Sequence, residues 1–291
     1  MKPRLPLNVI SGYLGAGKTT LINRLLGEDH GLHLLVMVND FGAINIDAAL
    51  LESATDDTLT LSNGCVCCTM GADLFMAIGD VLDRPVRPDH LIIEASGIAD
   101  PARIAQVAQA EPELIYGGIV TVVDVQGYRT LADDPLIGAQ VAGQVQAADL
   151  ICLSKSTGPD AALALQLGVQ SGAQVFDLNQ MDALAAVLFG VTPQGVVQPP
   201  RTPHRPYVAW HDSSAVVMSH AALSAKLQAR PEALFRFKGF VGHDAHSGWE
   251  VHCVGPSVSV KSLKGSHETQ VVGIGLAGRF TEAEIAAWWQ A

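Results

Sequence analysis

One octapeptide constrains the fold of this chain more than any other feature: Gly12-Tyr13-Leu14-Gly15-Ala16-Gly17-Lys18-Thr19. It fits the pattern Gly-x-x-x-x-Gly-Lys-Thr at every fixed position and carries an additional glycine at Gly15. The apolar run Leu5 to Ser11 precedes it, and a helical pattern from Lys18 to Leu26 follows and stops at Gly27. A strand that enters a helix through such a turn opens a β-α-β unit of a parallel sheet. Glycines let successive backbone N–H groups curl around phosphate oxygens, the lysine reaches the outer phosphates, and the threonine hydroxyl can ligate magnesium. Gly12, Gly15, Ala16, Gly17, Lys18, Thr19 and Thr20 are therefore the expected nucleotide-binding residues, and Lys18 is a catalytic candidate as well.

The rest of the first 190 residues agrees with such a sheet. Short apolar runs at His33–Asn39, Leu91–Glu94, Ile119–Asp124 and Leu150–Ser154 alternate with helical stretches near 69–83, 99–110, 135–147 and 160–170. Buried strands alternating with amphipathic helices predict an α/β fold with a mainly parallel sheet, a P-loop NTPase domain over 1–190. Residues 191–206 hold five prolines, Pro193, Pro199, Pro200, Pro203 and Pro206, which exclude helix and predict an extended linker. Residues 207–291 then read as helix, a series of strands and a last helix opened by Thr281-Glu282-Ala283-Glu284, a capping-box pattern. That order predicts a smaller C-terminal α+β domain.

A phosphate loop needs a second carboxylate at a neighbouring strand end to hold magnesium through water. Glu94 closes an apolar run and precedes Gly97, whose backbone N–H is placed to sense the γ-phosphate. Asp40 and Asp47 flank a loop after the second strand, the usual place for a switch segment, and either could orient an attacking water. As loop aspartates both also suit simple turns.

Three cysteines in four residues, Cys65, Cys67 and Cys68, sit 47 residues after Lys18 in Asn63-Gly64-Cys65-Val66-Cys67-Cys68. On an extended loop Cys65 and Cys67 point to one side, and Gly64 permits the turn that adds Cys68. Three thiolates and one further ligand suit tetrahedral Zn²⁺; Co²⁺ and Cu⁺ are chemically open too. A redox pair or a packed cysteine group is the alternative reading. Cys152, inside an apolar run, reads as core, and the scattered histidines beyond His204 read as surface residues.

The net charge of −11 is concentrated in residues 1–200, with 9 Lys and Arg against 22 Asp and Glu, and no basic run occurs. That balance argues against a nucleic-acid partner. No apolar run reaches the ~18 residues that span a bilayer, so no membrane segment is expected. Free thiols beside a nucleotide site predict a cytoplasmic protein without disulfides.

Together these residues resemble the CobW-type P-loop GTPases, relatives of the accessory GTPases that load nickel into enzymes. The resemblance rests on Ser11–Thr20, Asn39-Asp40-Phe41-Gly42 with Asp47, Asn63–Cys68, Ile93–Pro101 and Val122-Val123-Asp124. It extends, more weakly, to Arg236-Phe237-Lys238-Gly239 in the second domain. It implies GTP and Mg²⁺ as cofactors, Thr19 and Glu94 as magnesium ligands, and a cysteine loop that carries Zn²⁺ or Co²⁺ to a client metalloprotein or cofactor-biosynthesis complex. A nucleotide- or metal-dependent dimer is an option the resemblance leaves open. So are a small-molecule kinase and a zinc buffer that ignores nucleotide.

Two positions depart from the family pattern. The guanine-reading motif Asn-Lys-x-Asp becomes Ser154-Lys155-Ser156-Thr157, so Ser154 and Lys155 remain as base-site residues while the acid is replaced. Losing a charge-assisted bidentate contact costs on the order of 1.5–3 kcal/mol, which predicts a relaxed guanine preference unless Asp160 reaches in. In the switch segment, Asp40 shortens one acid and Ala43 removes the other.

Overall fold

β1 (Leu5–Ser11) is buried along nearly its whole length because it lies at the centre of a sheet covered on both faces. The structure, a computed structural model, describes residues 3–39, 58–61, 66–193, 207–254, 257–276, 278–279 and 281–291. The chain divides into two compact units, one built on the first seven strands and one on the last five. The proline-rich stretch 194–206 lies outside the described residues.

In the first unit β2 (Leu34–Asn39), β3 (Thr58–Leu61), β4 (His90–Glu94), β5 (Leu114–Asp124), β6 (Leu150–Ser154) and β7 (Gln174–Asp177) join β1 in the order β3-β2-β4-β1-β5-β6-β7. Every pairing is parallel. Alternate residues of each strand supply two cores. Leu7, Val9, Leu35, Met37, Leu91 and Ile93 pack under α2 (Val66–Asp83) and α3 (Pro101–Ala110). Ile10, Val36, Ile92, Val120, Val122 and Cys152 pack under α1 (Lys18–Leu26) and the helix Leu184–Phe189. Each fully buried aliphatic side chain contributes about 1.5–3 kcal/mol, so the two-sided burial is what favours near-continuous apolar strands here.

Strand β5 begins at Leu114, five residues before the start expected from sequence. Gly117 and Gly118 form an irregularity inside the strand, with Gly118 at φ +106 and a register shift opposite Leu7 to Val9. The edge strand β3, Thr-Leu-Thr-Leu, carries too little apolar pattern to stand out in the sequence.

The second unit is an antiparallel sheet of β8 (Tyr207–Ser214), β9 (Leu234–Asp244), β10 (Ser247–Val254), β11 (Ser257–Lys264) and β12 (Thr269–Leu276), ordered β11-β10-β9-β12-β8. Leu223 and Leu227 of the helix His220–Gln228 and Ile285 and Trp289 of the helix Glu282–Gln290 share its core with Phe237, Val251 and Val271. The expected capping box forms at Thr281 and Glu284. The first strand of this sheet, β8, was not legible, because its apolar residues are interrupted by His211 and Asp212.

Candidate functional site

The loop between β1 and α1 is shaped by its glycines. Gly12 has φ +137, and a Cβ there would stand 2.3 Å from the Val122 carbonyl oxygen, so only glycine lets the loop leave β1 against β5. Gly17 forms the N-cap of α1 with φ +102 and no side-chain cap, and the first helical turn holds no acid. The positive end of the helix dipole, with no side chain capping it, favours an anion there. Lys18 is buried, and its Nζ donates to the carbonyls of Gly12 at 2.9 Å and Tyr13 at 3.4 Å, which folds the loop around the lysine stem.

Glu94 ends β4 beside β1, paired in register with Ile10, and is 3% exposed. The Thr19 hydroxyl donates to Glu94 Oε1 at 3.2 Å. Both expected magnesium residues are therefore brought together at the strand ends. A hydroxyl and a buried carboxylate are hard oxygen donors, the set that Mg²⁺ takes beside phosphate oxygens. Directly after Glu94, Ala95 N donates to the Ile10 carbonyl, and the chain passes Gly97 so near the P-loop that a Cβ would lie 2.7 Å from Leu14 N.

Residues that sequence reading did not single out hold this loop. Gln144, buried in the helix Gly138–Gln146, donates through Nε2 to the carbonyls of Gly97 and Ala99, each at 3.1 Å. Gln140 Nε2 donates to the Ile98 carbonyl at 2.6 Å. The helix Gly138–Gln146 carries three glutamines, Gln140, Gln144 and Gln146, and the sequence does not mark which of them turn inward.

At the other end of the site Ser154 Oγ donates to the Ala16 carbonyl at 2.5 Å, tying the base-reading segment to the P-loop. Lys155 has φ +55, alone among the described non-glycine residues in being positive, and its Nζ pairs with Asp124 Oδ2 at 2.7 Å. Gln126 Nε2 donates to the Lys155 carbonyl at 3.0 Å and Asn179 Nδ2 to the Ser156 carbonyl at 2.8 Å. Thr157 is exposed. Asp160 does not turn toward this loop. It caps the helix Ala161–Ser171, accepting from Leu163 N at 2.9 Å, and pairs with Arg129 Nη2 at 3.0 Å. The Leu163 amide, above all, holds its carboxyl below the usual range against desolvation, and Arg129 adds to the lowering.

Asp40, Asp47 and Cys65 lie outside the described residues. Cys67 and Cys68 fall in the first turn of α2 rather than on an extended loop, so the alternation argument for thiol direction does not apply to them. Burial pushes the Cys152 thiol up to about 12 and the Cys253 thiol up to about 11, which leaves both inert packing groups. Among the described residues, no three His, Cys, Asp or Glu side chains gather as a metal-binding set. No helix of the described residues is long and apolar enough to cross a membrane.

Residues 6–173 match the family model described as CobW/HypB/UreG, nucleotide-binding domain. A protein of Sinorhizobium sp named zinc chaperone CobW is 40% identical over 130 residues, 42% of this chain and 37% of the relative. The Escherichia coli (strain K12) protein named zinc chaperone YjiA is 34% identical over 161 residues, 52% of this chain and 49% of the relative. A Dictyostelium discoideum protein named zinc-regulated GTPase metalloprotein activator 1 is 42% identical over 116 residues, 35% of this chain and 24% of the relative. The chain thus spans half or less of the length of these curated relatives.

Proposed function

The chain belongs to the CobW/HypB/UreG family of nucleotide-binding domains, and from that premise we propose that it is a GTP-hydrolysing metallochaperone. Its cargo is a transition metal, zinc or cobalt, which it passes to a client metalloprotein or cofactor-assembly complex in the cytoplasm. One observation carries the reading: the Thr19–Glu94 contact at 3.2 Å beside the cradle of Gly12, Gly17 and Lys18, in a chain whose sequence also carries Cys65, Cys67 and Cys68. The names of the relatives, zinc chaperone and zinc-regulated GTPase, favour zinc as the cargo.

In this reading the loop amides and Lys18 hold the β- and γ-phosphates, and Thr19 and Glu94 hold Mg²⁺, which neutralises charge on the phosphates when bound. Gly97, fixed by Gln144, presents its amide to the γ-phosphate. Asp40 or Asp47 orients the attacking water. The switch segment and the cysteine segment both follow strands of one sheet, β2 and β3, so a γ-phosphate that orders the first also positions the second. Ser154 and Lys155 border the base. The thiolates take the metal in the triphosphate state and release it after hydrolysis.

The test is titration with Zn²⁺ and Co²⁺ in the apo, diphosphate and non-hydrolysable triphosphate states, repeated with Cys67→Ala. Metal affinity is expected to rise at least tenfold with the triphosphate analogue and to fall in the variant. By linkage, metal must tighten triphosphate binding by the same factor. Equal metal affinity in all three nucleotide states refutes the chaperone cycle.

A further inference from the structure

Guanine and adenine differ at the edge a protein reads. Guanine offers two adjacent N–H donors, while adenine offers a ring-nitrogen acceptor beside an amine. A carboxylate only accepts, so it binds the first edge with two charge-assisted hydrogen bonds and repels the lone pair of the second. A threonine hydroxyl both donates and accepts. It can accept one guanine N–H or donate to the adenine ring nitrogen, and it opposes neither base.

Thr157 stands at the acid position of the base-reading pattern, and the carboxylates around this loop have other tasks. Asp124 is paired with Lys155 at 2.7 Å and accepts from Gln126 N at 2.9 Å. Asp160 is held by Leu163 N and by both of its contacts with Arg129 Nη2, at 3.0 and 3.3 Å. Asp177 caps the turn Leu178–Gln180 by accepting from Asn179 N at 2.9 Å. The loop itself is pinned. Ser156 Oγ donates to the Gly158 carbonyl at 2.6 Å, and Asn179 and Gln126 hold the carbonyls of Ser156 and Lys155. Bringing Asp160 to the base would break an N-cap and an ion pair together.

We propose that the base pocket of this chain is purine-tolerant, with Thr157 as the residue that sets its specificity. Adenosine triphosphate then enters the site assigned above to GTP. This rests on the nucleotide reading of the P-loop but narrows its substrate class. A site that hydrogen-bonds a substrate group through a buried charge rejects the analogue strongly, and a neutral hydroxyl gives that discrimination up.

The experiment is competition of GTP and of ATP, each with Mg²⁺, against a fluorescent GTP analogue. It is run on the wild-type chain, on Thr157→Asp and on Asp160→Asn, which keeps a capping side chain. The wild type is expected to bind the two within about tenfold of each other. Thr157→Asp is expected to raise the GTP-to-ATP ratio ten- to a hundredfold, mainly by tightening GTP. Asp160→Asn is expected to leave the ratio unchanged. Wild-type preference for GTP above a hundredfold, an unmoved ratio in Thr157→Asp, or collapse of GTP binding in Asp160→Asn overturns the pocket assignment while the P-loop reading stands. A chain that binds neither triphosphate refutes the P-loop reading and this proposal together.

Discussion

Replacing Gly97 by alanine tests whether the loop after Glu94 and the P-loop act as one unit. The added Cβ would lie 2.7 Å from Leu14 Cδ2, 2.7 Å from Leu14 N and 2.8 Å from Leu14 Cα. A carbon at rest needs roughly 3.5 Å, so the two loops must part by about 0.7 Å. Two of the three atoms are main chain, so no change of rotamer relieves them. Overpacking of this kind costs about 1–3 kcal/mol. Without ligand the loops relax by moving apart, whereas a bound triphosphate needs both sets of amides in place. The cost therefore falls on binding: triphosphate affinity should drop roughly five- to 150-fold, at about 1.4 kcal/mol per tenfold. The assay is titration of a fluorescent triphosphate analogue, with thermal melting to confirm folding. Gly143→Ala serves as the control, since a Cβ at that helical position meets nothing within 4 Å. Affinity within twofold of wild type in a folded Gly97→Ala protein would refute the reasoning, because the methyl would then have been absorbed without moving the P-loop.

Two further outcomes follow from buried polar groups. His90 packs on Phe189 with the rings tilted by 32° at 4.1 Å between centroids, and contacts Asn8 Oδ1 through Nε2 at 2.6 Å. Asn8 Nδ2 is already committed to the Gly117 carbonyl, so the histidine carries its proton on Nε2. Burial lowers its pKa to about 4. The unfolded chain binds this proton below about pH 6.5 and the folded one does not. Stability should therefore fall as pH drops from 6.5 toward 4, by up to roughly 3 kcal/mol. Urea midpoints from pH 7 to 4.5 should show that slope in the wild type and a flatter one in His90→Gln; parallel slopes would contradict it. Gln144→Leu leaves the carbonyls of Gly97 and Ala99 without their donor and should cost about 2–4 kcal/mol in chemical denaturation. A loss below about 0.5 kcal/mol would show that the brace is not structural.

The phosphate half of the site was legible because its chemistry is local in sequence. Gly12 to Thr19 form one turn, and Glu94 announces itself as an acid closing an apolar run. The brace by Gln144 was not legible, since its contact with Gly97 spans 47 residues and depends on where a helix docks. Asp160 shows the reverse error of proximity. Three residues from Thr157, it was the obvious acid to fill in, yet its place at a helix start engages it with Leu163 N and Arg129. The early start of β5 was hidden because Gly117 and Gly118 look alike whether they end a strand or bend it. The first turn of α2 was missed because Val66, Cys67 and Cys68 have no strong helical preference of their own.

The sheet order has a consequence for synthesis. β1 carries the P-loop, and its two neighbours are β4 and β5, which the ribosome makes much later. At about 5–20 residues per second, roughly 6 to 23 s separate the emergence of Ser11 from that of Asp124. Until β4 is complete at Glu94, β1 has no partner on either side, and until β5 reaches Val122 the glycine loop has no carbonyl to rest against. The nascent chain thus carries an unpaired apolar strand before its glycine loop can form, and pausing between β1 and β5 would lengthen its exposure to aggregation.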